Sequence, residues 1–346
     1  MKAAILVGQK KHLILDEIQL PSKLDYGQVL VRVICSGICG SQIGEVDGVK
    51  GPDKFLPHLL GHEGGGIVEK VGKGVSRVKK NDRVVMHWRK GFGIESATPN
   101  YKWGKTNINA GWITTFNEYA VVSENRITPI PEEIDFETAA LLGCAVTTGF
   151  GVINNDAKLK IGESIVIFGV GSVGMNEIQG ASLVSAYPII AVDLYDHKLE
   201  QAKKFGATHV INAAKEVNVA AEIFKIMGKN GVDVAIDNTG NTSVIEIAYE
   251  ITSTTGRTIL VGVPDIQKKT SLYTLPLHFD KKLVGSHGGG CLPSVDIPNY
   301  LKLIQSSKLK LKNMITHHFS LSNINQAFEE MRTGHVGKCM IVVTNV

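Results

Sequence analysis

The sequence predicts an α/β protein built in two parts, a β-rich first half followed by a doubly wound parallel sheet. Three observations carry that prediction. The chain has 346 residues, enough for about two ordinary domains. Up to about residue 145 it reads as short Val- and Ile-rich runs cut by Gly, Pro, Asn and Asp, the pattern of strands joined by irregular loops. From Ser164 onward apolar runs alternate with helical periods, which implies parallel strands with helical crossovers.

In the first half the expected strands are Ala3 to Val7, Gln28 to Ile34, Gly65 to Val71, Asp82 to Met86 and Phe116 to Val122. The stretch from Met86 to Asn117, rich in Trp, Lys, Gly and Asn, has no strong period and reads as a long loop edging a site. The second half opens with a strand at Ser164 to Phe168 and a helix from about Val173, then a strand at Pro188 to Val192 and a helix at Asp196 to Phe205. Further strands are expected at Val232 to Ile236, Thr258 to Val261 and Leu283 to Gly285. After Gly288 to Gly290 come helical patterns at Ile297 to Ser306 and Asn323 to Arg332 and a last strand at Lys338 to Val343.

Composition removes several classes of function. Hydrophobic residues make up 43% of the chain and charged residues 20%, which excludes wholesale disorder. No apolar run approaches the roughly 20 residues that cross a bilayer. The N-terminus carries Lys10 and Lys11 without a small-residue cleavage site, so it reads as a first strand and the expected address is the cytoplasm. The 37 basic and 33 acidic residues are scattered and aromatics are 6%, against the dense basic stripe of a nucleic-acid binder. Five irregularly spaced cysteines argue against a disulfide framework and leave at least one as a ligand or free thiol.

Gly169-Val170-Gly171-Ser172-Val173-Gly174 lies directly after an apolar strand and before a helix. In that setting the first glycine makes the tight turn, the second admits a pyrophosphate, the third lets helix and strand pack, and the helix N-terminus supplies amide donors. Asp193 ends the next strand, placed to accept hydrogen bonds from ribose hydroxyls and to repel a 2′-phosphate, so NAD is expected over NADP. Lys198 is the nearby cation that could soften that preference. The plainer alternative is a Gly-rich turn beside an exposed aspartate.

Cys39, His62 and Cys144 each stand beside glycines, and two thiolates with one imidazole make a zinc set whose fourth position is open. Their spacings of 23 and 82 residues fit no generic signature. On the residues alone, buried cysteines and a core histidine are the favoured reading.

The wider pattern changes that balance. Gly61-His62-Glu63-Gly64-Gly65-Gly66-Ile67-Val68, Gly37-Ile38-Cys39-Gly40-Ser41, Leu142-Gly143-Cys144-Ala145-Val146-Thr147-Thr148-Gly149 and the glycine motif stand in the order of the zinc-dependent medium-chain alcohol dehydrogenase family. The chain resembles that family over essentially its whole length, and Gly285-Ser286-His287-Gly288-Gly289 is similar to its glutathione-dependent formaldehyde and classical alcohol dehydrogenase branch. The resemblance implies a GroES-like catalytic domain over residues 1–145 and 288–346, and a Rossmann domain over 146–287. It implies catalytic zinc on Cys39, His62 and Cys144, with Glu63 as an acidic neighbour able to approach the metal. Ser41 becomes the first proton acceptor, Asn238 and Val263 the neighbours of the nicotinamide, and Lys338 a contact to the pyrophosphate. It also implies a homodimer or homotetramer acting on a small-molecule alcohol or carbonyl.

The departures matter as much. Residues 86 to 117 contain no cysteine, so a four-cysteine structural-zinc lobe is missing and one zinc per chain is expected. Gln42 replaces the family's usual Asp, and Gly44 stands where many relatives have a relay histidine. Trp88 resembles an aromatic pocket wall. With Arg89 beside it, the substrate reads as a polyol, sugar or phosphorylated alcohol, or else the segment is a solvated basic loop. Two other readings stay open: a zinc-free NADPH quinone or enone reductase, and a non-catalytic nucleotide-binding relative.

Overall fold

Residues 1–344 are described by a computed structural model, in which the chain divides into two units, Met1–Ala145 with Leu292 onward, and Val146–Cys291. The first unit is organised by a seven-stranded sheet. Its long strand Gln28–Gly37 pairs antiparallel with Glu63–Val71, Tyr119–Ser123 and Lys338–Val342. Val29, Val31 and Val33 recur every second residue, all fully buried, and meet Val68, Val84, Met86 and Val122, the use for which β-branched side chains are suited. A second cluster joins both ends of the chain: Ile38 and Phe116 pack with Ile324, Phe328, Cys339 and Ile341. Phe116 meets Phe328 edge to face with centroids 5.9 Å apart.

A five-stranded sheet completes this unit, and it corrects one expectation. The stretch between Met86 and Asn117 is not loop throughout, because Asn100–Trp103 and Thr106–Asn109 form a hairpin turning at Gly104, whose φ is +57°. Tyr101 and Ile108 face each other in its register, both fully buried. The tyrosine hydroxyl accepts from the amide of Val121 at 2.9 Å. Two short helices were also not expected, Gly40–Asp47 and Phe136–Leu142. The second is capped by Asp135, which accepts from the amide of Thr138 at 2.7 Å.

The second unit is a six-stranded, all-parallel sheet. Across it lie His209–Asn212, Ile189–Asp193, Ile165–Phe168, Val232–Asp237, Thr252–Leu260 and Lys282–Gly285. The chain starts in the middle and changes direction between Ile165–Phe168 and Val232–Asp237, which places a topological switch point there. Ile165–Phe168 is buried at every position, as a strand covered on both faces requires. Among the described residues, no single helix is long and apolar enough to cross a membrane.

Candidate active site

Three local features bring Cys39, His62 and Cys144 together. Cys39 is the N-cap of the helix Gly40–Asp47, and its amide donates to Gln42 Oε1 at 3.1 Å. His62 follows Gly61, whose φ of +95° and approach to Thr115 leave no room for a Cβ. Cys144 follows Gly143, where a Cβ would stand 2.3 Å from the carbonyl oxygen of Met86. The result is that the ligand atoms of Cys39, His62 and Cys144 all lie within 4.8 Å of one another.

The chemistry of this donor set fits a zinc ion. His62 Nε2 is buried without a hydrogen-bond partner, a costly arrangement for an imidazole with no further ligand. A hydrogen bond from Cys144 holds the Cys39 thiol well below its ordinary value, and His62 and Lys338 add to that effect. Cys144 is pushed up in turn by Cys39 and by burial. Burial works against charge on His62, but the Cys39 sulfur outweighs it and raises the imidazole. Ser41 Oγ donates to Cys39 Sγ at 3.5 Å, so the expected first proton acceptor stands beside a ligand. Gln42, which replaces the family's usual Asp, has its carbonyl oxygen on the Cys39 amide, and its Nε2 is buried without a partner.

Glu63 and Lys338 form a second layer. Glu63 is fully buried and Lys338 is 2% exposed; the ammonium donates to Glu63 Oε1. Gly37 makes room for them, since a Cβ there would sit 2.6 Å from Lys338 Cε and 2.8 Å from Glu63 Oε1. Burial lowers Lys338, but the charge of Glu63, followed by the two thiol sulfurs, raises it overall. The resemblance implies that Lys338 faces a pyrophosphate; the structure gives its ammonium a carboxylate partner beside the thiol groups. A sequence separation of 275 positions hides this pair from any local pattern.

In the other unit the glycine motif forms a cradle. Gly169 has φ of +81°, and a Cβ on Gly174 would stand 2.3 Å from the Gly169 oxygen, so turn and helix touch backbone to backbone. The helix Ser172–Val184 begins there with Gly171 as N-cap, which leaves its first amides for an anion. Asp193 braces the turn: Oδ2 accepts from the amide of Val170 at 2.9 Å, and Oδ1 from Leu194 and Tyr195 at 2.8 and 3.2 Å. Lys198 lies with its ammonium 4.9 Å from the centre of the Tyr195 ring. Asn238 follows the strand Val232–Asp237 at the switch point. Val263 is half exposed, with its carbonyl against Gly240.

The neighbourhood of Trp88 is more structural than its composition suggests. His87 is fully buried, with Nδ1 2.7 Å from the carbonyl of Arg89 and Nε2 2.9 Å from Thr128 Oγ1, and burial brings it down to about 4. Trp88 packs on the valine cluster and carries the Arg89 guanidinium 5.7 Å from its ring centre. Glu45, Asp53 and His58 also gather ligand-type atoms within 4.8 Å. There His58 Nε2 is 2.7 Å from Asp53 Oδ2, the spacing of a direct hydrogen bond.

Two family models match the chain: a zinc-binding dehydrogenase domain over residues 172–306 and an alcohol dehydrogenase GroES-like domain over residues 25–132. Alcohol dehydrogenase 2 of Oryza sativa subsp. japonica is 31% identical over 371 residues, covering 98% of this chain and 96% of that protein. The S-(hydroxymethyl)glutathione dehydrogenase of Paracoccus denitrificans is 31% identical, covering 96% and 97%. Among solved structures, benzyl alcohol dehydrogenase from Acinetobacter calcoaceticus is similar with a TM-score of 0.89 at 26% identity, over 99% of both chains.

Proposed function

The chain belongs to the zinc-dependent medium-chain alcohol dehydrogenase family, and from that premise we propose that it oxidises a polar alcohol, such as a polyol or sugar derivative, with NAD. It is a zinc-dependent alcohol oxidoreductase using zinc and NAD(P). The finer reading is one catalytic ion on Cys39, His62 and Cys144, and no structural zinc. The observation that carries it is the convergence of those three donors within 4.8 Å.

Zinc at this trio supplies Lewis acidity, which brings the acidity of a hydroxyl toward neutral pH, and NAD supplies the hydride acceptor. The residues do the rest. The two sulfurs and the imidazole would hold the ion. Ser41 Oγ, beside Cys39 and half-buried, would accept the hydroxyl proton as it releases its own to solvent. The amides at the start of Ser172–Val184 bind the pyrophosphate. Asp193, already fixed by the amides of Val170, Leu194 and Tyr195, keeps acceptor capacity for ribose hydroxyls and disfavours a 2′-phosphate. Asn238 and Val263 would flank the nicotinamide, and Trp88 with Arg89 would supply a polar wall for the substrate. All five cysteines lack disulfides, which supports a reducing compartment such as the cytoplasm; a homodimer or homotetramer is the proposed assembly.

The test is metal content by mass spectrometry, paired with NADH formation over simple alcohols, polyols and sugar phosphates. About one zinc per chain, with turnover lost together with zinc in Cys39→Ala and His62→Ala, is the expected outcome. A zinc-free protein that reduces quinones or enones with NADPH overturns it. Cofactor binding without turnover on any alcohol or carbonyl identifies a non-catalytic relative.

A further inference from the structure

Glu177 is the anomaly of the cofactor unit. It lies on the inner face of the helix Ser172–Val184, fully buried, and its partner is a neutral amide: Asn238 Nδ2 donates to Glu177 Oε2 at 2.7 Å. No cation among the described residues compensates it. Asp237, the neighbouring charge that acts on it, is itself acidic. Asp193 is committed to backbone amides, and Asp156 closes the π turn Val152–Asp156, which carries no cation. On the helix Asp196–Phe205 the charges are exposed except Lys198, whose ammonium lies over Tyr195.

Two buried oxygens of this pair have no donor: Glu177 Oε1 and Asn238 Oδ1. An ionised Glu177 leaves both unsatisfied, with an unpaired charge between them. A proton on Glu177 changes that inventory, because Oε1 becomes a donor while Oε2 continues to accept from the amide. Donated to Asn238 Oδ1, it closes a two-bond acid–amide pair.

The place of this pair gives it a consequence. A Cβ on Gly169 would lie 3.4 Å from Asn238 Cβ, and one on Gly174 would lie 3.3 Å from Asn238 Nδ2. Asn238 is therefore the floor of the glycine turn, and Glu177 holds that floor from the helix whose N-terminus faces the anion. We propose that Glu177 is a positioning residue for the dinucleotide: as a neutral acid it locks Asn238 under the cradle, and when ionised it weakens NAD(H) binding. The inference rests on the cofactor reading given above. Burial, with a smaller push from Asp237, raises this carboxyl to about 8, so the neutral form dominates at pH 7 and is lost above pH 8.

The experiment is NADH fluorescence titration of the zinc-loaded protein from pH 6.5 to 9.5, wild type against Glu177→Gln, whose amide keeps both hydrogen bonds to Asn238. The expected wild-type Kd rises about tenfold between pH 7 and 9.5, and the variant stays flat. Binding with equal slopes in the two proteins overturns this inference alone; absence of NADH binding at pH 7 overturns the cofactor reading and this inference with it. If the variant does not fold, infrared spectroscopy of the wild type decides. A buried protonated carboxyl stretch present at pH 7 and lost by pH 9.5 supports the neutral acid, and its absence at pH 7 removes the basis of the proposal.

Discussion

Two glutamates, one in each unit, are fully buried and resolve the same problem in opposite ways. Glu63 has an ammonium, Lys338, against its oxygen; Glu177 has only an amide. A buried carboxylate is tolerated when a hydrogen-bonded cation shares its burial and otherwise takes up a proton. The region of Cys39, His62 and Cys144 thus keeps an ammonium against a carboxyl group beside its thiol groups, while under the glycine cradle the proposed neutral acid meets only an amide.

The largest expected effect breaks the charged member of that comparison. Lys338→Met leaves the Glu63 carboxylate without its cation, and urea unfolding should show a loss of about 3–5 kcal/mol. Replacing both, as Lys338→Met with Glu63→Leu, should return most of it, because an apolar pair of similar volume removes the stranded charge.

The neutral member predicts the opposite sign. Glu177 binds a proton in the folded state up to about pH 8, whereas in the unfolded chain a glutamate releases it near pH 4.3. Between those values the folded state holds one more proton than the unfolded state, so this group's contribution to stability falls as pH rises, by roughly 1.4 kcal/mol per unit. Relative to wild type, Glu177→Gln should gain stability steadily from pH 5 to 8 and level off above that, measured by thermal or urea unfolding. A wild-type to variant difference that does not change with pH would mean that Glu177 is ionised when folded.

The smallest effect sharpens the comparison within the cofactor unit. Asp193→Asn keeps one carbonyl oxygen but removes the charge that the amides of Val170, Leu194 and Tyr195 now share. The expected cost is about 1 kcal/mol in NAD binding with improved NADP binding, read from the Kd of both cofactors.

How far the sequence discloses all this depends on the range of the interaction. The cradle is legible because strand, glycines and helix are contiguous from Ile165 to Val184. The donor trio is legible only through resemblance, since a helix cap, a left-handed glycine and a close-packed Gly143 bring distant residues together without a shared period. Glu177 had a local signal that composition and motif reading passed over: it follows Gly174 by three positions and precedes Ala181 by four, inside the stripe that helical spacing turns inward. The Asn100–Asn109 hairpin was hidden by polar residues on its exposed face, with Tyr101 and Ile108 the inward pair. The Glu63–Lys338 pair has no local signal at all.

That last separation also sets an order in time. The strand Lys338–Val342 lies between Gln28–Gly37 and Ile315–Ser320 in the large sheet, and it carries the cation that Glu63 needs. During synthesis the residues that surround Cys39, His62 and Cys144 are made well before Lys338–Val342, so their sheet stays open along one edge until that strand follows. Every residue of the cofactor unit precedes that strand, so a chain that stops short of Lys338 lacks both the strand between Gln28–Gly37 and Ile315–Ser320 and the cation that faces Glu63.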